Sequence, residues 1–447
     1  MFSITPSTAR KGVAWSVGFL IVVALLSLVG PIYRSFLGII INSNEGWNAF
    51  YADAAMGKMN LYPSLNQLIT NNYPPLSFYC VGIVGKLLGD NILAGRLLSL
   101  MALGVITFFI VQIIKILGGT WKGGLIGGAY FVATLSLFFR WYIGANDPQL
   151  LAQAVMVCGF FLFLKAAKSG RGYWIAMLVM VVAGFFKHNI VTLPLSSMLW
   201  LGVQQRWRTF FFCNGFSLLL IIIGFTCCYA AYGVDFFYNL LTPRQLLLEK
   251  ISQEFMDLSM VVIGLGFWFF ASWKFHREAS VQLITIMMFV GLVVGCIQRL
   301  GSGVFVNAQF DLVFAVAIGV GVVFQLFLQR HYYAEPLQMA LIVALTLPFF
   351  MAPTFFVFLN IFSPAYQTTM ACMQQQIAER IALVRAIPGD VFCESYIAYK
   401  AGKPFAVDIF NVQERIKAGT LPADAITRRV HQQTLTEVNY IWDVGIE

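Results

Sequence analysis

The sequence predicts an all-α polytopic membrane protein with about 11 transmembrane helices and a small C-terminal α/β domain outside the membrane. The first reason is composition. Of the 447 residues, 59% are hydrophobic and only 11% are charged, whereas about a quarter of a soluble domain is charged. The second reason is that the hydrophobic residues form long runs separated by short polar loops. The 42 Phe and 10 Trp suit a surface that faces lipid.

Eleven apolar runs supply the predicted spans. They cover approximately 13–33, 96–116, 122–140, 149–166, 173–187, 190–204, 210–232, 258–273, 279–297, 311–329 and 338–360. A further run, 75–89, begins at Pro74-Pro75 and has only about 15 residues, which is short for a crossing. We interpret this run as an interfacial or re-entrant helix.

The Lys and Arg residues of the short loops predict the orientation, because such residues concentrate on the cytoplasmic side. If 75–89 does not cross, alternate loops hold basic clusters: Arg10-Lys11, Lys115 with Lys122, Lys165-Lys168-Arg171, Arg206 with Arg208, Lys274-Arg277, and Arg330. The N-terminus is then cytoplasmic, and the tail from about residue 361 lies outside. Since the net charge of +9 is divided among these clusters, it does not indicate nucleic-acid binding.

The polar tail predicts a second unit, residues 361–447, beside a membrane domain of residues 1–360. Residues 373–386 predict a helix, and LPADAITRRVHQQT predicts another. The segments DVFCES, KPFAVDIF and VNYIWDV predict three short strands. Alternating strands and helices are typical of a small open α/β unit.

The first outward loop, residues 36–95, is the largest loop before the tail. Its segment EGWNAFYADAAMGK places Trp47, Phe50, Tyr51 and Ala54 at helical spacing. This spacing predicts an amphipathic helix that lies in the membrane interface.

Three outward carboxylates stand out in a chain that uses charge sparingly. Glu45 opens the predicted interfacial helix, where a carboxylate is stabilised, so a helix-end charge and a functional acid are both open. Asp147 is followed by Pro148, a pattern typical of a helix N-cap, so capping competes with function there too. Asp53 fits a solvated or capping residue better. Because Glu45 and Asp147 lie on the same side, they are candidates to line one cavity.

Four outward cations lie beside apolar helices. Lys187 and His188 interrupt an apolar run, Arg299 has the equivalent place between two later spans, Arg244 lies in another outward loop, and Arg96 opens the second span. A cation at such a position is costly without an anionic partner, although snorkelling to the surface is the alternative. Together these side chains predict a site for a lipid phosphate at the outer leaflet.

The stretch NEGWNAFYADAAMGKMNLYP…YPPLSFYCVGIVGKLLGDNILAGRLLSL resembles the GT-C superfamily of membrane glycosyltransferases. It is most similar to the bacterial branch related to the aminoarabinose transferases and protein mannosyltransferases. Members of that branch carry an acidic pair after the first span, then a PPLxxY helix and a G…R junction. Here the first acid of the pair is replaced by Asn44. The resemblance covers roughly residues 1–330, and the tail resembles a C-terminal extension of some bacterial members.

The resemblance implies roles for individual residues. Glu45 corresponds to the catalytic base, and Asp147 to the second outward acid. Lys187 in FFKHN corresponds to the family's lysine. Tyr73 stands where the family usually has a basic residue before the Pro pair, and Asn307 matches a late Asn-aromatic motif.

The implied activity is that of an inverting glycosyltransferase of the bacterial cytoplasmic (inner) membrane. It would move a sugar from a polyprenyl-phosphate donor to an extracytoplasmic acceptor of the cell envelope. The family does not imply a metal cofactor, although a divalent ion between Glu45 and Asp147 is an open alternative. The competing class is a transporter or flippase for a lipid-linked sugar, for which internal repeats are typical and none is visible. A lipid-carrier ligase or polymerase would share the same donor.

Overall fold

The structure is a computed structural model that describes residues 6–250, 259–330, 345, 346, 349, 361–432 and 435–438. Up to residue 330 it is helical: α1 (Pro6–Ser35), α2 (Glu45–Ala55), α3 (Leu76–Leu88), α4 (Asn91–Ile116), α5 (Trp121–Phe138), α6 (Pro148–Ser169), α7 (Tyr173–Gly184), α8 (Thr192–Val203), α9 (Trp207–Tyr232), α10 (Asp235–Leu240), α11 (Ser259–Ser272), α12 (Ala279–Arg299) and α13 (Phe310–Arg330). Short 3-10 turns lie at Arg140–Tyr142, Trp273–Phe275 and Val306–Gln309.

Ten of the eleven predicted spans coincide with helices, namely α1, α4 to α9, and α11 to α13. The eleventh, 338–360, lies outside the described residues except for three positions. Within the described residues, six helices are long and apolar enough to cross a membrane, by length and composition. The chain is therefore a multi-pass membrane protein, while the total of eleven crossings stays a prediction.

The predicted spans 173–187 and 190–204 form helices that are shorter than expected. Helices α7 and α8 have 12 residues each, or about 18 Å at the rise of an α-helix. Lys187 and His188 lie in the turn between them, so the polar pair ends one helix before the next begins. The short apolar run 75–89 also forms a short helix, α3, of 13 residues, as predicted.

Helix α5 is the centre of the bundle and packs against α1, α4 and α13. Small residues allow this close approach. A Cβ at Gly127 would lie 2.6 Å from the carbonyl oxygen of Ala317 on α13 and 2.6 Å from Ile114 Cδ1 on α4. Helix α6 packs against α4 and α7.

Helix α2 forms where the sequence predicts it, but it does not lie on an open membrane surface. Helices α3 and α4 pack against it, and Phe50, Tyr51 and Ala54, which the helical spacing placed on one face, are buried. A short tail helix covers the remaining side. At Gly46 a Cβ would lie only 2.2 Å from the backbone nitrogen of Tyr396, so only glycine permits this contact. Protein, rather than lipid headgroups, therefore covers this helix.

The tail is mostly helical. It contains α14 (Pro364–Ala386), β1 (Val391–Phe392), α15 (Ser395–Lys400), α16 (Ile409–Lys417), α17 (Ala425–His431) and β2 (Thr436–Glu437). The two short strands are parallel neighbours. The helices predicted within 373–386 and 421–434 are present, as is a strand in DVFCES, whereas VNYIWDV lies almost wholly outside the described residues.

The strand predicted in KPFAVDIF is wrong. Its last residues begin α16, because Asp408 caps that helix: its Oδ1 accepts a hydrogen bond from the backbone N–H of Asn411 at 3.2 Å. A capping aspartate competes with extended structure by satisfying a free N–H of the first turn.

Candidate functional site

The predicted site residues gather at one end of the bundle, where the loops predicted to face outward meet the tail. They do not form one cluster. The structure separates them into a buried ion pair, Glu45 with Arg96, and a second group around Lys187. Asp53 belongs to neither group.

Glu45 is fully buried and fully hydrogen-bonded. Arg96 Nε donates to Oε1 at 2.7 Å and Arg96 Nη2 donates to Oε2 at 2.7 Å. The backbone N–H groups of Ile41 and Asn146 donate to the same carboxylate at 2.9 and 3.1 Å. The other guanidinium N–H groups donate to backbone carbonyls within residues 35–39. The pair therefore ties the first loop to the start of α4 and to the loop before α6.

Asp147 is also buried, but it is less fully satisfied. Its Oδ1 accepts from the backbone N–H of Gln149 at 2.8 Å, which caps α6 as the Asp-Pro pattern predicted. Lys187 Nζ lies 3.8 Å from the same oxygen, an ion-pair distance rather than a hydrogen bond. Among the described residues, none donates a hydrogen bond to Asp147 Oδ2. One carboxylate oxygen is thus available to another molecule.

Lys187 is the centre of the second group and is only 1% exposed. Its ammonium lies 5.2 Å from the centre of the Tyr73 ring, a cation–π contact. Asn307 lies on its other side. The orientation of that amide is set by its neighbours: with its oxygen turned to Lys187 Nζ at 3.1 Å, its nitrogen donates to Tyr142 Oη and to the carbonyl of Phe305. A buried ammonium is thus held between an aromatic face, an amide and a carboxylate.

His188 and Arg244 extend this group toward the tail. Burial, and then the charges of Lys187 and Arg244, lower the pKa of His188 to about 4, so its imidazole is neutral at pH 7. The Arg244 guanidinium lies 4.6 Å from the Phe410 ring of the tail. Among the residues that the structure describes, its buried Nη1 has no hydrogen-bond partner, although a guanidinium carries five donors. Cationic donors at this site are therefore not fully used.

Arg299 and Asp53 are placed differently. Arg299 ends α12, and its Nη1 donates to the carbonyl of Val304 in the following loop at 2.5 Å. Asp53 lies in the last turn of α2, where it pairs with Lys58 at 2.9 Å and accepts from Asn91 at 2.8 Å. The geometry gives Asp53 a local structural role.

Sequence reasoning missed the contribution of the tail. Asp408 Oδ2 accepts from Trp47 Nε1 at 2.9 Å, and the Trp47 ring lies 5.4 Å from the ring of Tyr73. The Asp-x-x-Asn spacing of Asp408 and Asn411 indicates a helix cap, but no local pattern places that cap against α2. Trp47 and Asp408 are 361 positions apart, so their contact depends on the tertiary structure.

No group of three or more metal-ligating side chains is present in the parts of the chain that the structure describes. Glu45 and Asp147 do not share a position for an ion, because the four donors on Glu45 occupy its oxygens. The chemistry of the site is that of buried cations, a carboxylate with a free oxygen, and aromatic faces.

One family match and several structural matches bear on this arrangement. Residues 72–232 match the family described as dolichyl-phosphate-mannose-protein mannosyltransferase. No curated protein matches the chain in sequence. ArnT from Cupriavidus metallidurans in the apo state is similar, with a TM-score of 0.61 and 11% identity over 93% of this chain and 91% of that chain. Its structure bound to undecaprenyl phosphate gives 0.60 and 13% over 92% and 91%.

An oligosaccharyltransferase from Archaeoglobus fulgidus, tethered with an acceptor peptide, is similar with a TM-score of 0.50 and 10% identity, over 89% of this chain and 64% of that chain. Identities this low establish the fold alone. The family match includes Tyr73, Arg96, Asp147 and Lys187, whereas Glu45, Arg244, Arg299 and Asn307 lie outside it. The family match covers residues 72–232, and the fold of most of the chain is similar to the folds of ArnT and of the oligosaccharyltransferase.

Proposed function

We propose that the protein is an inverting glycosyltransferase that takes its sugar from a polyprenyl-phosphate donor and passes it to a hydroxyl of an extracytoplasmic acceptor. The observation that carries the proposal is the buried Lys187, held beside Tyr73, Asn307 and Asp147 at the end of the bundle. A buried ammonium with partly used donors near it favours an anionic ligand. A lipid phosphate has that charge and arrives from the membrane.

The proposed donor site uses Lys187 as the main contact to the phosphate, with Arg244 beside it. Arg244 offers a buried N–H that no described residue accepts, and both cations are close enough to lower the pKa of His188. Arg299 and Asn307 complete this side. As the bond between the anomeric carbon and the phosphate oxygen breaks, the lipid phosphate keeps the electron pair. Fixed cations stabilise that developing charge without reorganising.

We propose Asp147 as the general base. Its free Oδ2 can accept the proton of the acceptor hydroxyl while the hydroxyl oxygen attacks the anomeric carbon from the side opposite the phosphate. A base needs an available oxygen within hydrogen-bond reach, and this condition separates the two acids predicted from the sequence. Glu45 has all its oxygen positions filled by four donors. We therefore assign Glu45 and Arg96 to holding the first loop.

The proposal places this end of the bundle on the extracytoplasmic face of a bacterial cytoplasmic membrane. The basic loops predicted to be cytoplasmic lie at the other ends of the same helices. The tail contacts loops that the charge pattern puts outside, which supports residues 361–447 as an extracytoplasmic unit beside residues 1–360.

The decisive measurement is binding of undecaprenyl phosphate to the protein in lipid nanodiscs, followed by transfer of labelled sugar from a polyprenyl-phosphate donor. Lys187→Gln should weaken lipid-phosphate binding by at least about tenfold, the loss of one buried charged contact. Lys86→Gln is the matched control, because Lys86 is exposed at the end of α3. Equal binding by wild type and Lys187→Gln would remove Lys187 from the donor site.

A further inference from the structure

Two loops that carry site arginines are joined to each other. Arg244 lies in the loop after α10, and Arg299 leads into the loop after α12. The backbone N–H of Leu247 donates to the carbonyl of Leu300 at 2.8 Å, and that of Ser302 donates to the carbonyl of Gln245 at 2.8 Å. The two loops thus form a short antiparallel bridge.

The tail helix α16 holds this bridge through a buried carboxylate. Glu414 is 2% exposed. Its Oε2 accepts from the backbone N–H of Gln245 at 3.0 Å, and its Oε1 accepts from Ser302 Oγ at 3.1 Å. One side chain therefore contacts both loops at once. Leaving that carboxylate buried without these donors would be costly, so the contact favours a docked tail.

Phe410, on the same helix, contacts one residue of each of the two bridged loops, Gly303 and Arg244. Its ring lies against Gly303, where a Cβ would be only 2.2 Å from the ring and where φ is +71°. Arg244 lies over the same ring, with its guanidinium carbon 4.6 Å from the ring centre. The position of the arginine is thus set by a tail residue.

The N-cap of α16 contacts a third part of the site. The backbone N–H of Asp408 donates to the carbonyl of Leu68 at 2.8 Å, and its side chain accepts from Trp47. Trp47 packs on Tyr73, the ring beside Lys187. Burial raises the pKa of Asp408, and its hydrogen bonds from Asn411 and Trp47 act against that rise.

We infer that helix α16 is a positioning element of the donor site: Glu414, Phe410 and Asp408 set where Arg244 and the loop after Arg299 stand relative to Lys187. This inference rests on the proposed function. The tail then contributes to donor binding. Without α16, the loops after α10 and α12 would have to become ordered each time the donor binds. Ordering two loops in advance lowers the entropic cost of binding.

Glu414→Gln is the sharpest test, because it keeps the shape of the side chain but removes its charge and one of its acceptor oxygens. The matched control is Glu379→Gln, the same change on the exposed side of α14. We expect Glu414→Gln to weaken undecaprenyl phosphate binding and to raise the donor KM by roughly fivefold, the size of one lost hydrogen bond. The kcat at saturating donor should stay within about twofold, because Asp147 is untouched.

Ser302→Ala removes the other partner of the same hydrogen bond. Its effect on donor binding should not add to that of Glu414→Gln, since residues that share one interaction are coupled. The thermal unfolding midpoint of Glu414→Gln should fall modestly relative to that of Glu379→Gln, because a buried hydrogen bond is lost, so donor binding is the measurement that tests the inference. A fall in the midpoint with unchanged donor binding would assign Glu414 to stability alone and overturn the inference.

Hydrogen exchange separates this inference from the proposed function, because it needs no donor. Peptides that cover 242–247 and 300–304 should exchange faster in Glu414→Gln than in Glu379→Gln. If wild type binds donor and Glu414→Gln binds equally well, the inference fails while the proposed function stands. If wild type binds no lipid phosphate, the proposed function fails, and faster exchange in these two peptides still supports α16 as the element that orders them.

Discussion

Two buried ion pairs lie close to one another in this protein and differ in how fully they are satisfied. Glu45 and Arg96 meet through two hydrogen bonds of 2.7 Å, and further donors fill the carboxylate. Asp147 and Lys187 stand 3.8 Å apart, and each has capacity left over. The Glu45–Arg96 pair is therefore suited to holding segments together, whereas the Asp147–Lys187 pair is suited to binding a ligand.

The difference shows why burial and charge alone do not identify a catalytic acid. Both carboxylates are buried, both begin helices, and both lie at the same end of the bundle. What separates them is the count of donors on each oxygen. A saturated pair resists any exchange of partners, because removing one leaves an unpaired buried charge. An unsaturated pair can exchange its partner for a substrate.

Asp147→Asn should show the largest effect on activity. The amide keeps the shape and the helix cap but cannot take a proton, so we expect transfer to fall by about 10²–10⁴ with donor binding retained. The measurement is transfer of labelled sugar by purified protein in nanodiscs. Asp53→Asn is the control, since Asp53 pairs with exposed Lys58 away from the site, and it should transfer sugar nearly as wild type does. Normal turnover by Asp147→Asn would show that Asp147 is not the base, and the two ion pairs would then not differ in function as proposed.

Glu45→Gln should act mainly on stability. Breaking a buried pair from one side costs about 3–5 kcal/mol, so the single variants Glu45→Gln and Arg96→Gln should each unfold at lower temperature or denaturant. The double variant Glu45→Leu/Arg96→Met should recover only the part of that loss that comes from an unpaired charge. It still leaves the backbone N–H groups of Ile41 and Asn146 and three carbonyls within residues 35–39 without these partners. Unfolding in detergent measures all three variants. A stable Glu45→Gln protein that binds donor yet transfers at least about a hundredfold more slowly would make Glu45 the base instead.

The helices were the most predictable part of the molecule. Long apolar runs specify them, so ten of the predicted spans coincide with helices. Two of those helices are shorter than predicted, because the lengths of apolar runs do not show where a Lys-His pair turns the chain. The family motifs predicted Glu45, Asp147, Lys187 and Asn307 as site residues.

The roles of the site residues were less predictable from sequence. Nothing in GRLLSL shows that Arg96 turns inward to Glu45 rather than outward to a phosphate. Nothing in the polar tail shows that Glu414 reaches two loops more than a hundred positions away. Hydrogen bonds between distant segments depend on the packed structure, whereas spans depend on local hydrophobicity.

The smallest expected effect is a pH dependence near the saturated pair, and it comes from the tail. Glu394 precedes α15, and its Oε2 accepts from the backbone N–H of Ile397 at 3.0 Å. Burial, with a smaller contribution from the charge of Glu45, raises the pKa of Glu394 to about 7. Because the ordinary value is 4.5, the folded protein binds more protons than the unfolded chain between about pH 4.5 and 7.

The contribution of Glu394 to the free energy of unfolding should therefore fall as pH rises through that window and level off above about pH 7. Glu394→Gln cannot titrate, so its unfolding midpoint, measured from pH 5 to 8, should lack this contribution and should fall less with rising pH than the midpoint of wild type. A residual slope of the same sign is expected from Asp408, whose pKa burial also raises. His188, whose pKa falls from 6.5 to about 4 on folding, contributes a slope of the opposite sign between those values, and it does so equally in wild type and in Glu394→Gln. In Glu45→Gln the window should move to lower pH, because the neighbouring charge that helps to raise the pKa of Glu394 is gone. An unchanged pH profile in Glu394→Gln would mean that another group titrates in this range. It would also mean that the charge of Glu45 does not act on Glu394 as proposed.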